Sequence, residues 1–299
     1  KELVICGMLV ASRNVIDGVL WARSLRGSED LSKLVEKGKS QFKGPELKGK
    51  TFGVIGLGAI GVLVANAAEA LGMNVIGFDP YLSVNSALHL SGKVKIASVL
   101  EDLLKQADYI TVHVPLMEET KNYISAPEFE KMKDGVMLLN YARDGIVNES
   151  ALKKALVEGK VAKYITDFPD EELLNMDNVI CIPHLGASTP ESEENCAIMA
   201  ASELREYIEK GSIKNSVNMP TCILGAPAGY RLTLIHKNLP NMVGQMTAIL
   251  ASEGLNIEEM TNKSRGDIAY TVFDLNSEAS AEAMAKLGEI DGMIKIREI

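Results

Sequence analysis

A glycine-rich turn between a strand and a helix constrains the fold of this chain more than any other feature. The turn is Gly56-Leu-Gly58-Ala-Ile-Gly61; it follows the strand-like run 51–55 and precedes a helical run. The first glycine permits a tight turn, the second lets the backbone approach a pyrophosphate, and the third lets the helix pack closely on a sheet. The N-terminus of that helix then offers free N–H groups to phosphates. In this setting the motif predicts a dinucleotide site, and a plain glycine turn is the structural alternative.

An acidic residue at the end of the next strand distinguishes between two dinucleotides. Asp79 lies eighteen residues after Gly61 and closes the strand-like run 74–79. A carboxylate at this point accepts hydrogen bonds from both ribose hydroxyls and repels a 2′-phosphate. No arginine follows in residues 80–83. The sequence therefore predicts NAD rather than NADP as the cofactor.

Short strand-like runs alternate with amphipathic helical runs over residues 51–182. The predicted strands are 51–56, 74–79, 94–97, 109–114, 136–140, 161–166 and 179–182, and the predicted helices are 59–71, 99–106, 126–133 and 149–158. An apolar helical run over residues 1–25 precedes them, and 190–210 is predicted to be one long helix. This order is typical of an α/β fold of the Rossmann type, with a doubly wound parallel sheet covered by helices on both faces.

The order β-α-β-β-α-β is predicted for residues 229–299. The strands are 230–236, 256–262, 268–275 and 293–298, and the helices are 241–253 and 279–287. This is the ferredoxin-like pattern. We therefore expect a dinucleotide-binding domain over 1–189, a long helix within 190–219, a linker over 220–228 and a small domain over 229–299.

The composition excludes several classes of protein. The 299 residues carry a net charge of −9, and an acidic chain lacks the general electrostatic attraction that nucleic acids and anionic lipids require. No run of about 18 apolar residues is present for a membrane-spanning helix. The four cysteines lack disulfide or metal-ligand spacing and are predicted to be reduced thiols of a cytoplasmic protein without a metal. They are Cys6, Cys181, Cys196 and Cys222.

Three charged residues are predicted to lie just after strands, at the carboxyl edge where open α/β sheets bind ligands. They are Arg143, Glu171 and His184. Beside a nicotinamide, an arginine can fork onto the carboxylate of a 2-hydroxy acid, and an imidazole can take the hydroxyl proton while hydride leaves. A paired carboxylate would hold the tautomer of the imidazole and raise its pKa. Taken singly, a loop charge is often only solvated, and a histidine often caps a helix or bonds a buried carbonyl.

Several separated motifs together resemble the D-isomer-specific 2-hydroxyacid dehydrogenases over nearly the whole chain. Besides the glycine turn and Asp79, they are His113-Val-Pro115 with Thr120, Arg143, and Pro183-His184-Leu-Gly-Ala187. The resemblance implies that Arg143 binds the substrate carboxylate and that His184, with Glu171 as its partner, is the acid/base. It also implies contacts with NAD at Gly56, Gly58, Ala59, Ile60, Gly61, Asp79, His113, Val114, Pro115, Thr120, Tyr141, Ala142, Arg143, Thr166, Asp167, His184, Gly186 and Ala187.

The chain departs from the family pattern at three places. Asp144 stands where the family has a glycine after the catalytic arginine. The family's aspartate beside the nicotinamide, two residues before the Phe-Pro turn, falls on Thr166, with the carboxylate one residue later at Asp167; both alternatives stay open. Family members also begin with a substrate-binding region of roughly a hundred residues. We expect that this chain begins inside a domain, that its long helix returns toward that region, and that the groups for a substrate phosphate lie outside the chain.

Residues 229–299 resemble an ACT domain, a small ligand-sensing module of amino-acid biosynthetic enzymes. The similar stretches are Ile235-His236-Lys-Asn238-Leu-Pro-Asn241 and Gly254-Leu-Asn256-Ile257. The resemblance implies that L-serine binds between two subunits at His236, Asn238 and Asn256. Short polar side chains that cap local backbone are the structural alternative.

The attached module favours one branch of the family. In that branch an NAD-dependent oxidoreductase converts D-3-phosphoglycerate to 3-phosphohydroxypyruvate at the start of L-serine synthesis, as a homo-oligomer (dimer or tetramer) inhibited by L-serine. One alternative is another D-2-hydroxyacid dehydrogenase that reduces glyoxylate or hydroxypyruvate, although such reductases usually end near the long helix. The other is a non-catalytic fragment that binds NAD and an amino acid, because the substrate-binding region is not in this chain.

Overall fold

The computed structural model describes residues 1–227 and 229–299. They form two compact units, Lys1–Gly186 and Ala187–Ile299. The division thus falls shortly before the predicted boundary at residue 189. Ala228, the last residue of the predicted linker, lies outside the described residues.

The first unit contains a seven-stranded parallel sheet. Its strands are β1 (Thr51–Ile55), β2 (Asn74–Phe78), β3 (Lys95–Ile96), β4 (Tyr109–Val112), β5 (Val136–Asn140), β6 (Val161–Thr166) and β7 (Val179–Cys181). They lie in the order β3-β2-β1-β4-β5-β6-β7, so the direction of winding reverses between β1 and β4. Val54, for example, lies beside Gly77 of β2 and Thr111 of β4. The predicted doubly wound α/β fold is confirmed, and its switch point places a crevice at the carboxyl ends of β1 and β4.

Helices cover both faces of this sheet. The helices of the first unit are α1 (Glu2–Arg13), α2 (Val15–Ser24), α3 (Leu31–Gly38), α4 (Ala59–Ala70), α5 (Val84–His89), α6 (Leu100–Gln106), α7 (Ala126–Lys131), α8 (Glu149–Val157) and α9 (Glu171–Leu174), with a 3-10 turn at Lys39–Phe42. Val54 of β1 belongs to the core that α1 and α4 share, whereas Ile55 belongs to the core of α6, α7 and α8. Because successive strand residues point to opposite faces, these two cores lie on opposite sides of the sheet.

The apolar run at the start of the chain is two helices rather than one. Asn14 adopts a left-handed conformation (φ 48°) between α1 and α2, which are bent by 62°. Asparagine tolerates this conformation better than most residues, and Lys163 donates to its Oδ1 at 2.6 Å. No single helix among the described residues has the length and apolar character to cross a membrane, although the bent pair α1 and α2 passes that test together.

The second unit consists of a long helix and a four-stranded antiparallel sheet. Helix α10 spans Pro190–Lys210, as predicted; the sheet contains β8 (Tyr230–Lys237), β9 (Ile257–Arg265), β10 (Ile268–Leu275) and β11 (Met293–Glu298), with α11 (Met242–Ser252) and α12 (Ala281–Gly288). The strand order is β11-β8-β10-β9. Leu234 and Phe273 point to one face and share a core with α11 and α12. The chain order is therefore the predicted β-α-β-β-α-β, with both of its helices on one face of the sheet.

Part of the predicted linker is packed into the second unit. Cys222 is buried and pairs with Ile213 in an isolated antiparallel bridge. The two residues share a core with Tyr270 and Val272 on the sheet face opposite α11 and α12. The segment after α10 thus covers a part of that face.

Candidate active site and effector site

The glycine turn has the geometry of a phosphate cradle. Gly56 has a φ of +90°, and a Cβ there would lie 2.6 Å from the carbonyl oxygen of His113. A Cβ on Gly61 would collide with the carbonyl oxygen of Gly56, which explains the close approach of α4. At Gly58 a Cβ would meet no heavy atom within 4 Å. Gly58 is also the N-cap of the twelve-residue helix α4 and has no side chain to occupy its first N–H groups. The open space and free donors fit a dinucleotide phosphate.

Asp79 ties the glycine turn to the end of β2. Its Oδ2 accepts from the backbone N–H of Leu57 and its Oδ1 from that of Tyr81, both at 2.8 Å. These bonds fix the direction of the carboxylate at the mouth of the crevice. Each carboxylate oxygen has a further lone pair, so the group can still accept from ribose hydroxyls.

His113 follows β4 at the switch point of the sheet. Its Nε2 lies 3.0 Å from Thr111 Oγ1, and burial lowers the pKa of the ring to about 4. The imidazole is therefore neutral at physiological pH, in keeping with a residue that lines the crevice without proton chemistry. In the loop that follows, Thr120 donates its hydroxyl to the carbonyl oxygen of Pro115 at 2.5 Å, which fixes the loop that carries Val114 and Pro115.

The loop of Arg143 is shaped by a residue that sequence reasoning missed. Asn140, at the end of β5, is 2% exposed; it accepts from the N–H of Ala142 at 3.1 Å and donates to the carbonyl oxygen of Arg143 at 3.0 Å. Arg143 is exposed, with Nη1 donating to the Ala142 carbonyl. Asp144 needs no special conformation, because the positive φ of this turn (78°) falls on Gly145. The sequence signal that could have identified Asn140 is an asparagine at the end of a predicted strand, next to a loop with charged residues.

The two candidates for the nicotinamide side differ in their surroundings. Thr166 and Asp167 are both buried. Thr166 Oγ1 accepts from the N–H of Phe168 at 3.1 Å, whereas Asp167 Oδ1 has no hydrogen-bond partner among the described residues. Burial raises the pKa of Asp167, and the positive charges of His184 and Arg143 oppose that rise. Asp167 is thus the carboxylate that lies near both candidate catalytic side chains, and a buried oxygen without a donor is costly unless a ligand supplies one.

His184 and Glu171 are both exposed side chains at the carboxyl edge of the sheet. The edge of the His184 ring packs against Phe168, with ring centres 5.1 Å apart. Glu171 opens the short helix α9, which is capped by Asp170. No hydrogen bond or ion pair joins Glu171 to His184 in the part of the chain that the structure describes. Their pairing therefore stays a prediction.

The remaining predicted NAD contacts are exposed or half-buried. Ala59 and Ile60 lie exposed in the first turn of α4. The hydroxyl of Tyr141 is buried beside Gly7 of α1 and has no partner among the described residues, so this ring points toward α1. Gly186 closes the first unit and Ala187 opens the second.

The predicted effector residues lie at two ends of the second sheet. His236 is 2% exposed; its Nδ1 donates to the carbonyl oxygen of Lys237, and its Nε2 bonds Thr271 Oγ1, both at 2.8 Å. Exposed Asn238 donates to the carbonyl oxygen of Gly266, in the turn after β9. Asn256 directly precedes β9.

Within one copy of the sheet, the predicted effector residues Asn238 and Asn256 lie far apart. Strand β9 has nine residues, and a strand rises about 3.3 Å per residue, so Asn238 and Asn256 lie roughly 30 Å apart along it. A small ligand therefore does not touch both asparagines of one copy.

Comparison with known proteins defines the class to which this fold and site belong. The profile of the D-isomer specific 2-hydroxyacid dehydrogenase, NAD binding domain, matches residues 7–186. The chain belongs to this family of oxidoreductases, and the predictions of the family, of an enzyme and of NAD as cofactor are confirmed.

Two individual relatives and one solved structure show how far the similarity extends along the chain. The chain is 33% identical to D-3-phosphoglycerate dehydrogenase of Haemophilus influenzae, over 99% of this chain and 72% of that protein. It is 39% identical to D-3-phosphoglycerate dehydrogenase of Methanocaldococcus jannaschii, over 73% of this chain and 41% of that protein. The crystal structure of a glyoxylate reductase from Paecilomyes thermophila matches with a TM-score of 0.59 and 30% identity, over 72% of this chain and 63% of that one. This chain thus spans only a part of each relative's length.

Proposed function

We propose that the full-length protein oxidises D-3-phosphoglycerate to 3-phosphohydroxypyruvate with NAD. The observation that carries this proposal is the similarity to a D-3-phosphoglycerate dehydrogenase over 99% of the chain, which includes the second unit. The glyoxylate reductase, by contrast, matches 72% of the chain. Reduction of glyoxylate or hydroxypyruvate is the second candidate, supported by that structural similarity.

The cofactor fits the residues at the carboxyl edge of the first sheet. Gly58 and the start of α4 would hold the pyrophosphate, and Asp79 the adenine ribose. The unpartnered Oδ1 of Asp167 would accept from the carboxamide of the nicotinamide, which favours Asp167 over Thr166. When bound, NAD supplies the acceptor for the hydride that leaves the substrate carbon.

Three side chains would do the proton and binding chemistry. The guanidinium of Arg143 forks onto the substrate carboxylate and orients the hydroxyl. The imidazole of His184 takes the hydroxyl proton as the carbonyl forms. A carboxylate next to the ring stabilises the resulting imidazolium; Glu171 is the predicted partner, and Asp167 is the buried carboxylate whose pKa responds to the charge of His184.

L-Serine is the proposed feedback inhibitor, bound between two copies of the second unit. The separation of Asn238 from Asn256 supports a site completed by two copies, because an antiparallel arrangement would bring Asn238 of one copy to Asn256 of the other. The protein is thus proposed to be a homo-oligomer. The free thiols of the chain accord with the proposed cytoplasmic location.

The experiment is NADH oxidation by the full-length protein with 3-phosphohydroxypyruvate, glyoxylate or hydroxypyruvate, each with and without L-serine. We expect 3-phosphohydroxypyruvate to be the preferred substrate and L-serine to suppress its turnover. Preference for glyoxylate or hydroxypyruvate would establish the second candidate. Turnover of 3-phosphohydroxypyruvate that is indifferent to L-serine would keep the activity and remove the proposed regulation.

A further inference from the structure

Tyr164 carries a buried hydroxyl to which the proposed chemistry gives no part. The residue lies on β6, is 4% exposed and belongs to the core that α6, α7 and α8 cover. Burial raises the pKa of its hydroxyl to about 12, so the group keeps its proton at physiological pH. A protonated hydroxyl donates one hydrogen bond and can also accept one. It can therefore connect two other polar groups.

The partners of this hydroxyl lie at the ends of two neighbouring strands. The side chains of Asn140 and Thr166 hydrogen-bond with the hydroxyl of Tyr164. Asn140, the last residue of β5, is the register partner of Thr166, the last residue of β6. Tyr164 points to the same face as Thr166, because it precedes that residue by two along the strand. The three side chains thus form one buried polar cluster at the carboxyl ends of β5 and β6.

The first partner supports the loop of the substrate arginine. The carboxamide of Asn140 accepts from the N–H of Ala142 at 3.1 Å and donates to the carbonyl oxygen of Arg143 at 3.0 Å. These two bonds leave one lone pair and one N–H of the carboxamide free. The bond to Tyr164 is therefore a third bond on the carboxamide, and it restricts the rotation of the group that shapes the Arg143 loop.

The second partner supports the loop beside the candidate acid/base. Thr166 Oγ1 accepts from the backbone N–H of Phe168 at 3.1 Å. The ring of Phe168 packs against the edge of His184, with ring centres 5.1 Å apart. The hydroxyl of Tyr164 therefore connects the support of the Arg143 loop with the support of the loop that contacts His184.

We propose that Tyr164 is a positioning residue, whose hydroxyl joins the loop of Arg143 to the loop of Phe168 and thereby sets the separation between the guanidinium and the imidazole. A 2-hydroxy acid carries its carboxylate and its hydroxyl on adjacent carbon atoms, so both protein groups have to be in place at once. The proposal rests on the roles that the proposed function gives to Arg143 and His184; the connection between the loops does not.

The connection is tested by amide hydrogen exchange on the full-length protein without ligands. Tyr164→Phe removes only the hydroxyl. Tyr109→Phe is the matched control, because Tyr109 is 2% exposed, its hydroxyl lies 2.9 Å from Ser12 Oγ, and it belongs to the core on the other face of the sheet. We expect exchange at residues 141–143 and 168 to rise about fivefold in Tyr164→Phe, the effect of one lost hydrogen bond on local opening. It should stay unchanged in Tyr109→Phe. Unchanged exchange in Tyr164→Phe would overturn the connection.

The positioning is tested by steady-state kinetics with the keto acid that the wild type prefers. We expect kcat/KM for the keto acid to fall about fivefold in Tyr164→Phe, as for one lost hydrogen bond, with NADH affinity within twofold of the wild type. Tyr109→Phe should lose as much thermal stability but keep kcat/KM. Equal kcat/KM losses in the two variants would reduce Tyr164 to a general contribution to stability and overturn the proposal.

A second variant tests whether Tyr164 acts through both partners. Thr166→Val removes the hydroxyl on the other side of the connection. Because one chain of hydrogen bonds is broken by either change, the double variant should lose little more kcat/KM than Tyr164→Phe alone. Additive losses would show that the two loops are supported separately and would contradict the proposal. A wild type that reduces none of the three keto acids would refute the proposed function, and the exchange result would still decide the connection.

Discussion

The two units of this chain place their candidate ligand sites differently in relation to their sheets. In the first unit all seven strands are parallel, so the glycine turn, His113, Arg143 and His184 all follow strand ends at one edge. In the second unit the strands are antiparallel, and the turns alternate between two ends of the sheet. Within one copy of the first unit, the predicted cofactor residues thus lie at one edge of the sheet. In the second unit, Asn238 and Asn256 lie at opposite ends of β9. We therefore expect the first sheet to hold its ligand within one copy and the proposed effector site of the second sheet to need two copies.

The two units also differ in whether the polar groups of their candidate sites already have hydrogen-bond partners. The glycine turn offers backbone N–H groups and the open space at Gly58. In the second unit the ring of His236 already has a partner at each nitrogen. A backbone site of this kind is prepared before its ligand arrives, whereas the proposed effector site would have to be completed by a second copy.

The largest expected effect is on the stability of the second unit alone. Arg231→Met leaves the carboxylate of Asp274 buried without a partner, which costs about 3–5 kcal/mol. Urea unfolding, followed separately by exchange in each unit, should show that loss in residues 187–299, while NAD affinity stays unchanged. Arg231→Met combined with Asp274→Leu should recover a part of it. Equal destabilisation of both units would show that the two units do not unfold independently.

The second effect is a pH dependence in the first unit. The pKa of His113 is lowered from 6.5 to about 4, so between these values the unfolded chain binds a proton that the folded chain does not. The free energy of unfolding therefore falls as the pH drops from 6.5 toward 4, by about 3 kcal/mol from this residue. His113→Gln should flatten that slope in unfolding experiments across this pH range. An unchanged slope would mean that His113 is not the group responsible.

A smaller effect separates ligand binding from packing at the glycine turn. Gly58→Ala meets no protein atom but fills the space for the pyrophosphate, so NAD affinity should fall at least about tenfold with little change in stability. Gly92→Ala is the control, since a Cβ there also meets nothing within 4 Å. Calorimetric titration and thermal unfolding measure the two quantities. Equal NAD affinity in both variants would remove Gly58 from the phosphate site.

The smallest effect is a change in binding stoichiometry at the second site. Asn238→Ala and Asn256→Ala should each weaken L-serine binding in the full-length protein. In mixed oligomers of the two variants, half of the sites between unlike copies regain both asparagines. We therefore expect partial recovery of L-serine binding upon mixing and re-association. No recovery would indicate that each copy holds its effector residues separately.

The fold of both units was predictable because its signals are local. The glycine spacing and the strand–helix alternation predict the seven-stranded sheet, and the β-α-β-β-α-β order predicts the second one. The break at Asn14 was not predictable, because both sides of it continue the apolar helical pattern and only the left-handed backbone separates them. Helix α3 was missed as well, since its residues are mostly exposed and lack a buried stripe.

The sequence predicts which loops carry the candidate site residues, but not the contacts that those residues make. The positions of Arg143 and His184 follow from strand ends. That Asn140 shapes the Arg143 loop, and that Asp167 is buried whereas Glu171 is exposed, depends on loop paths between strands. Those paths are set by tertiary packing, which neither residue spacing nor periodicity records.

The most direct test of the account is a pair of titrations on the full-length protein over a range of protein concentrations. We predict that NAD binds one molecule per chain with an affinity that does not change as the oligomer dissociates. L-Serine binding should weaken as the protein is diluted, because its site needs two copies. NAD binding that depends on protein concentration, or L-serine binding that does not, would contradict the proposed difference between the two units.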